Sequence, residues 1–254
     1  MKPSELTIVI PIYGLWDSFV RLVHELDPEH PIVAVDDCSP TVPDFVSWTW
    51  ARQRPFTLTR NIRNMGYGPA CNEALAKVKT RYVCFLNTDM GVPTEDWWKP
   101  LAAHLKDPNV GAAGPQLRYP NGTIQHAGIG FLKNGNPYHI GRNCFPNNKA
   151  VREGGEAEAL TGACLMARTE VIREANGFDP QYEVGNYEDI DLCLRLRQAG
   201  YKLIYEPSTW LTHYESQSVI NHPRQMQWLQ SNWLKFKERW IVDGKIVIGG
   251  QEDG

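Results

Sequence analysis

The stretch TIVIPIYGLWDSFVRLVHELDPEHPIVAVDDCSP, from Thr7 to Pro40, decides the fold class. It contains two β-branched apolar runs, Thr7 to Ile12 and Pro31 to Asp36, and between them a segment with helical patterning from Trp16 to Glu25. Two strands joined through a helix are typical of a parallel pair with a crossover connection. We therefore predict an α/β fold with a mostly parallel central sheet flanked by helices.

The alternation of strands and helices continues along the chain. Further strands are predicted at Pro55 to Thr59, Arg81 to Asn87 and Val110 to Pro115, and helices at Val42 to Trp50, Pro69 to Lys77, Asp96 to Lys106, Thr169 to Ala175 and Glu188 to Ala199. Between Asn121 and Glu158 the periodicity fades into Gly, Asn and Pro. We expect a loop with a short hairpin in that segment.

A final helix is predicted from about Pro223 to Trp240. Four apolar side chains recur on one of its faces at helical spacing: Leu229, Trp233, Phe236 and Trp240. We expect this face to pack against the core. Contact with a partner or with a membrane surface is the alternative.

Composition excludes several classes of protein. With 42 % apolar and 22 % charged residues, the 254-residue chain falls in the globular range, and its formal net charge of -3 gives no basic surplus for nucleic acid. No stretch approaches the ~18 apolar residues that suggest a transmembrane segment, and the six cysteines form no CxxC motif. We expect a cytoplasmic protein, with the inner face of the membrane as an alternative location.

Polar segments follow the predicted strands, where open parallel sheets bind their ligands. They are Pro11-Ile12-Tyr13, Asp36-Asp37-Cys38-Ser39, Asn61 to Gly68 and Asn87-Thr88-Asp89. Each alone would be read as a turn, because Asp, Asn, Gly and Ser favour turns. Their shared place at one edge of the sheet predicts a binding site.

Seven segments, spread in order from Thr7 to about Ser218, carry a family resemblance. They are TIVIPIYG, VAVDDCSP, RNMGYGPACNEAL, VCFLNTDM, LTGACLMARTEVIREANGFDPQY, NYEDIDLCLRLRQAGYKLIYEP and THYES. Together they resemble glycosyltransferase family 2. The resemblance implies a GT-A fold, a UDP- or dTDP-linked sugar donor, a divalent metal (Mn²⁺ or Mg²⁺) and an inverting displacement. The sequence is also similar to members that transfer rhamnosyl or hexosyl groups in bacterial surface-polysaccharide synthesis.

The resemblance implies a nucleotide site at the first polar segments. Pro11 and Tyr13 would line the base pocket, and Asp37, with Asp36 beside it, would accept a hydrogen bond from a uracil-type ring. The alternative is that the two aspartates only end a strand and open a turn. Asn64 and Gly66 would bring backbone close to the nucleotide, because glycine has no Cβ to block the approach.

Asn87-Thr88-Asp89 occupies the place of the family's metal motif, in which two aspartates usually flank one residue. Asn87 replaces the first aspartate, so Asp89 is the carboxylate ligand that the motif retains. One carboxylate together with diphosphate oxygens and water suits magnesium or manganese. His213 matches a position where the family often supplies a further ligand, which favours manganese. A structural histidine is the alternative reading.

The resemblance places the catalytic base in Glu188-Asp189-Ile190-Asp191. We choose Asp189, with Glu188 as the second candidate; a mere interaction of these carboxylates with the helix dipole is the alternative. The base would take the proton of the acceptor hydroxyl as its oxygen attacks the anomeric carbon. Thr161, Gly162 and Ala163 would form the floor of the acceptor and donor-sugar pocket.

These readings predict a GT-A catalytic domain over residues 1–220, with a nucleotide-binding half (1–115) and an acceptor and catalytic half (116–220). Residues 221–254 would be a helix and tail packed on it. The expected acceptor is a glycan, a lipid-linked glycan or another hydroxyl compound. A dinucleotide enzyme or nucleotidyltransferase would need a GxGxxG turn or a basic phosphate loop after the first strand, and PIYGLWDS offers neither. The remaining alternative is an inactive module that binds sugar nucleotides.

Overall fold

The computed structural model describes residues 1–43, 54–215 and 224–242. The strands are β1 (Leu6–Ile12), β2 (Ile32–Asp36), β3 (Phe56–Arg60), β4 (Tyr82–Leu86), β5 (Met90–Gly91), β6 (Val110–Arg118), β7 (Ile124–His126), β8 (Ile129–Phe131), β9 (Pro137–His139), β10 (Gly155–Glu156), β11 (Cys164–Arg168) and β12 (Lys202–His213). The α-helices are α1 (Trp16–Glu25), α2 (Tyr67–Lys77), α3 (Trp98–His104), α4 (Lys149–Arg152), α5 (Thr169–Glu174), α6 (Glu188–Gln198) and α7 (Gln225–Phe236). A π-helical turn, Lys237–Val242, continues α7.

Within the described ranges the central sheet has the order β10-β12-β6-β11-β4-β1-β2-β3, with β5 paired to β12 and β7 to β6. The first half is parallel, since β1 pairs in parallel with β2 and β4, and β2 with β3. Strand β11 lies between β4 and β6 and runs antiparallel to both, which makes the sheet mixed. The predicted α/β class with flanking helices is confirmed.

Both faces of the sheet are covered, which explains the continuous apolar strands. Along β1 the side chains alternate: Ile8 and Ile10 pack in the core beneath α1 and α3, whereas Val9 packs in the core beneath α2 and α6. Helix α1 contributes Phe19 and Leu22 to the first of these cores. The central strands are therefore rigid, and their carboxyl ends can hold a site in place.

Local patterns located most elements closely. The prediction for α1 matches the observed bounds, and β1 to β4 begin or end within one residue of the predictions. The helix predicted at Val42 to Trp50 lies almost entirely outside the described residues. Strand β12 is not among the predicted strands, because Pro207 interrupts its apolar pattern and the pairing with β6 shifts register between Glu206 and Trp210.

The segment between Asn121 and Glu158 contains the expected hairpin, formed by β8 and β9. It also contains β7, which joins the central sheet, together with the short α4 and β10. Isolated backbone pairing of Ile129 with Ala159 ties the hairpin to the approach of β11. This segment is therefore an ordered wall of the domain.

The C-terminal helix packs on the domain through three of the four apolar side chains predicted for this face, and the predicted tail (residues 243–254) lies outside the described residues. Phe236 and Trp240 are buried in the core that also contains α2 and α6, and Trp233 packs against that core. Burial of a side chain such as Phe236 contributes about 1.5–3 kcal/mol. Among the described helices, none combines the length and the apolar character needed to cross a membrane.

Candidate active site

A cleft of about 450 Å³ opens at the carboxyl edge of the parallel strands. Its lining includes these residues predicted from the sequence: Pro11, Tyr13, Asp37, Asn64, Gly66, Asn87, Thr88, Asp89, Thr161, Gly162, Ala163, Glu188, Asp189 and His213. The ends of β1 and β4 are tied together, because the Thr88 hydroxyl donates to the Pro11 carbonyl oxygen over 2.5 Å. The topology thus gathers at one place residues that are far apart in the chain.

Asp37 organises the loop that follows β3. Its Oδ1 accepts hydrogen bonds from Asn61 Nδ2 and the Met65 amide, each over 2.8 Å, and its Oδ2 accepts from the Gly66 amide over 2.7 Å. A carboxylate has about four acceptor positions, so capacity remains for a ligand donor. The loop with Asn64 and Gly66 therefore depends on Asp37 for its shape.

Asp36 differs from its neighbour: in the described part of the chain it lies outside the cleft lining. Its buried carboxylate accepts from the Ser39 amide over 2.9 Å and pairs with the Arg60 guanidinium. Successive residues of a strand point to opposite faces, which separates the two aspartates. Asp36 supports the turn after β2, in contrast to the expectation that it lies beside Asp37 in the pocket for the nucleotide base.

Gly66 connects the loop after β3 to the segment that precedes the acidic residues of α6. It has φ +91°, and a Cβ there would lie 2.7 Å from the Cα of Val184. The next amide, that of Tyr67, donates to the Val184 carbonyl oxygen over 2.7 Å. Only glycine permits this approach, so the contact between the NMGYG turn and the segment before α6 depends on Gly66.

Asp89 and His213 meet because β5 pairs with β12, in a register that sets Met90 opposite His213. His213 Nε2 lies 3.3 Å from Asp89 Oδ1, and both residues are only 6 % exposed. This approach lacks hydrogen-bond geometry, and within the described residues neither ring nitrogen of His213 has a hydrogen-bond partner. The Oδ1 atom of the nearby Asn87 is buried without a partner in the same way.

These unsatisfied atoms fit a divalent metal ion. A buried polar atom without a partner is costly, and an imidazole nitrogen beside a carboxylate is a suitable donor set for Mn²⁺. No group of three or more His, Cys, Asp or Glu side chains that could hold a metal occurs in residues 1–43, 54–215 and 224–242. The chain would therefore supply Asp89 and His213, and the remaining ligands would come from water or a bound diphosphate.

Asp189 stands at the start of α6 with both carboxylate oxygens hydrogen-bonded. Oδ2 accepts from the Gly162 amide and Oδ1 from the Ile190 amide, each over 2.8 Å. Burial raises the pKa of Asp189, while these amide donors act in the opposite direction. The carboxylate is therefore held in one orientation, and its raised pKa makes it a stronger base than a solvated aspartate.

Glu188 is buried beside Asp189, and its Oε2 has no hydrogen-bond partner among the described residues. Burial, followed by the negative charge of Asp189, raises the pKa of Glu188 well above its ordinary value. Backbone amides stabilise the charged form of Asp189. When one carboxyl group of the pair is ionised, the negative charge is therefore mainly on Asp189 and the proton on Glu188. This favours Asp189 over Glu188 as a proton acceptor.

A histidine pair that the sequence reasoning missed adds to the cleft. His139 lines it, and its Nδ1 lies 2.8 Å from Nδ1 of the buried His126. Burial lowers the pKa of His126 well below its usual range and that of His139 to about 4. The Gly128 amide donates to His126 Nε2, so the neutral His126 donates from Nδ1 and His139 carries its proton on Nε2.

The family model for glycosyl transferase family 2 matches residues 7–174. The chain belongs to this family. The match spans β1 to α5 and so includes the cleft residues between Pro11 and Asp89 as well as Thr161 to Ala163.

Two curated relatives illustrate this membership. The O-antigen biosynthesis protein RfbC of Myxococcus xanthus is 34 % identical over 162 residues, which are 59 % of this chain and 12 % of that protein. The N-acetylglucosaminyl-diphospho-decaprenol L-rhamnosyltransferase of Mycobacterium tuberculosis is 25 % identical over 227 residues, 73 % of this chain and 71 % of that protein. This family 2 chain spans less than half the length of several curated relatives that it matches.

A solved structure shares the fold. GalNAc-T7, crystallised with UDP, GalNAc and Mn²⁺, superposes with a TM-score of 0.74 at 18 % identity, covering 94 % of this chain and 49 % of that one. The GT-A fold expected for this family 2 member is confirmed.

Several residues that line the cleft were not predicted from the sequence, because the segments that contain them carry weak or ambiguous patterns. Gln125, Tyr138 and His139 come from the segment without periodicity, and Leu229 comes from α7. Tyr67 and Tyr187 are aromatic residues adjacent to motifs, where a packing role is the ordinary interpretation. The presence of histidines in an otherwise Gly-, Asn- and Pro-rich stretch was the one available signal for the wall of this family 2 cleft.

Proposed function

We propose that this protein is an inverting glycosyltransferase. It transfers a hexosyl or rhamnosyl group from a UDP- or dTDP-linked sugar to a hydroxyl of a glycan, a lipid-linked glycan or another acceptor. The observation that carries this proposal is the position of Asp189 and of the Asp89–His213 pair in one cleft. In a direct displacement of a nucleoside diphosphate, a carboxylate base can take the proton of the acceptor, and a bound cation can neutralise charge on the leaving diphosphate.

Different residues of the cleft bind the nucleoside, the cation and the donor sugar. Asp37 and the Asn64–Gly66 loop bind the nucleoside, and Pro11 and Tyr13 line the base pocket beside them. A divalent cation bound by Asp89 and His213 would neutralise charge on the departing diphosphate. Thr161, Gly162 and Ala163 leave space for a sugar ring, since their side chains are small.

Asp189 acts on the acceptor. Its carboxylate, held by the amides of Gly162 and Ile190, removes the hydroxyl proton as the acceptor oxygen forms its bond to the anomeric carbon. The bond to the diphosphate breaks on the opposite face of the sugar. One base and one displacement invert the anomeric configuration, whereas retention would need a nucleophile or another arrangement.

The names of similar proteins support the substrate class. Relatives include an O-antigen biosynthesis protein and an N-acetylglucosaminyl-diphospho-decaprenol L-rhamnosyltransferase. Solved structures of this fold contain UDP with Mn²⁺ in one case and GDP-mannose with Mn²⁺ in another. These similarities support our proposal that the protein acts in the synthesis of a bacterial-type surface glycan.

The deciding experiment is a screen of nucleoside-diphosphate sugars for transfer and for slow donor hydrolysis, with and without Mn²⁺. We expect turnover of a uridine or thymidine donor that requires the cation. Proton NMR of the fresh product should show the inverted anomer. Tight donor binding with no turnover of any donor would instead indicate an inactive binding module, and a retained anomer would contradict the role of Asp189.

A further inference from the structure

The turn that leads into α6 has an unusual backbone. Val184, Asn186 and Tyr187 have φ values of 62°, 78° and 74°, in the left-handed region that residues with a Cβ rarely adopt. Such conformations persist only where the surrounding structure holds them. Because Glu188 and Asp189 follow directly, whatever holds this turn also sets the position of the two carboxylates.

One side chain of the C-terminal helix bonds to most of this turn. Asn232 of α7 is fully buried, and its Oδ1 accepts from the Glu183 amide over 2.9 Å. Its Nδ2 lies 2.9 Å from the carbonyl oxygens of Glu183 and Gly185 and 3.3 Å from that of Asn186. An amide is suited to this place because it presents donors and an acceptor at once.

The turn is thereby fixed from two sides. In addition, the Val184 carbonyl oxygen accepts from the Tyr67 amide, and Gly66 packs against Val184. The ring of Tyr187 lies 5.3 Å from that of Phe236 on α7, centroid to centroid. Glu188 and Asp189 therefore follow a turn that is held both by the loop after β3, at Gly66 and Tyr67, and by the C-terminal helix.

We propose that Asn232 is a positioning residue for Asp189. It holds the turn of residues 183–187 so that the Asp189 carboxylate meets the Gly162 and Ile190 amides in the cleft, and it does not itself contact substrate. This inference rests on the function proposed above. It gives α7, which already contributes Leu229 to the cleft lining, a role in holding the proposed base, although α7 lies beyond the part of the chain matched by the family model.

Asn232→Asp gives a sharp test, because a carboxylate can still accept from the Glu183 amide but cannot donate to the carbonyl oxygens. Small displacements of a reacting group can cost about 10²-fold in rate, so we expect kcat to fall by at least about tenfold with the donor KM little changed. Hydrogen exchange of the amides of residues 184–189 should become faster. Both changes would report on the turn rather than on folding as a whole.

Asn72→Asp is the matched control. Asn72 braces a different turn, with its Nδ2 donating to the Phe178 carbonyl oxygen over 2.7 Å and its Oδ1 accepting from the Phe178 amide over 2.8 Å. This variant keeps the accepted hydrogen bond and loses the donor to one carbonyl oxygen, whereas Asn232→Asp loses the donor to three, so it should lose somewhat less thermal stability. We expect its kcat to remain close to that of the parent, and exchange in residues 184–189 to be unchanged.

Parent-like kcat in a folded Asn232→Asp variant would overturn the positioning role, as would unchanged hydrogen exchange in the turn. If that variant does not fold, Asn232→Ser, which keeps one donor and one acceptor, should show a partial loss of kcat; no loss would again overturn it. A parent that turns over no donor would contradict the proposed function. Hydrogen exchange would then still decide whether Asn232 holds the turn.

Discussion

The backbone amide of Gly162 donates a hydrogen bond to Oδ2 of Asp189 over 2.8 Å, joining the approach to β11 with the start of α6. Gly162 is also held by its carbonyl oxygen, which accepts from the Tyr67 hydroxyl over 2.5 Å. A Cβ at position 162 would lie 3.0 Å from that hydroxyl oxygen and 3.2 Å from the Asp189 Cβ. The orientation of the proposed base thus depends on a glycine backbone from another part of the chain.

Asp189→Asn should remove most transfer while leaving donor binding nearly intact. The amide cannot take the acceptor proton, and general-base assistance is worth about 10²–10⁴-fold in kcat. Both oxygens of Asp189 accept from amides, so the new NH₂ group loses one of these bonds and stability should fall by about 1 kcal/mol. Steady-state kinetics measure the loss of kcat, and a donor titration measures binding. Glu188→Gln should reduce kcat less than Asp189→Asn does. A kcat of Asp189→Asn within about threefold of the parent would contradict the role of Asp189 as the base.

Glu188→Gln should stabilise the protein at neutral and alkaline pH. The raised pKa of Glu188 means that the folded protein holds this proton more tightly than the unfolded chain does. Its contribution to stability is therefore complete below its ordinary pKa of about 4.5 and is lost as the pH rises through the raised value. Thermal unfolding of both proteins across pH should show a gain in Tm that grows with pH.

The exposed Glu170 supplies the matched control, since Glu170→Gln removes a carboxylate of the same type on α5. We expect its Tm difference from the parent to change little with pH. A Glu188→Gln variant that follows the parent at every pH would show that Glu188 ionises normally.

Removal of the metal should abolish transfer. Asp89→Ala should not recover with millimolar Mn²⁺, because it loses the carboxylate beside His213. His213→Ala should weaken Mn²⁺ binding more than binding of the free nucleoside, as measured by calorimetric titration. His104→Ala, which removes a histidine paired with Glu206, is the control and should bind Mn²⁺ like the parent. Full transfer in excess chelator would rule out the metal assignment.

Asp37→Ala should weaken donor binding by about 1–3 kcal/mol, the range for lost hydrogen bonds to a charged group, and should raise the KM for donor accordingly. Part of this loss would arise from the loop, because the side chain also binds the amides of Met65 and Gly66. Asn61→Ala removes one of the loop bonds and leaves the carboxylate, so it should cost less. Unchanged affinity of Asp37→Ala for uridine and thymidine diphosphates would place the base elsewhere.

The fold class and most of the cleft residues could be predicted from the amino-acid sequence alone. Local periodicity identified β1 to β4 and α1, because a buried parallel strand and an amphipathic helix leave distinct repeats of apolar residues. Once these strands are parallel and adjacent, their carboxyl ends share an edge. Asp37 and Asp89 could therefore be assigned to one site without a structure.

The remaining contacts of the site form only when distant elements of the chain pack together. His213 reaches Asp89 through the pairing of β12 with β5, and Asn232 reaches the turn before α6 through the packing of α7. Asp36, adjacent to Asp37 in sequence, is turned away from the cleft by the alternation of the strand. Local patterns carry no information about such contacts, because strand order and helix packing are set by burial of the whole core rather than by the residues that eventually meet.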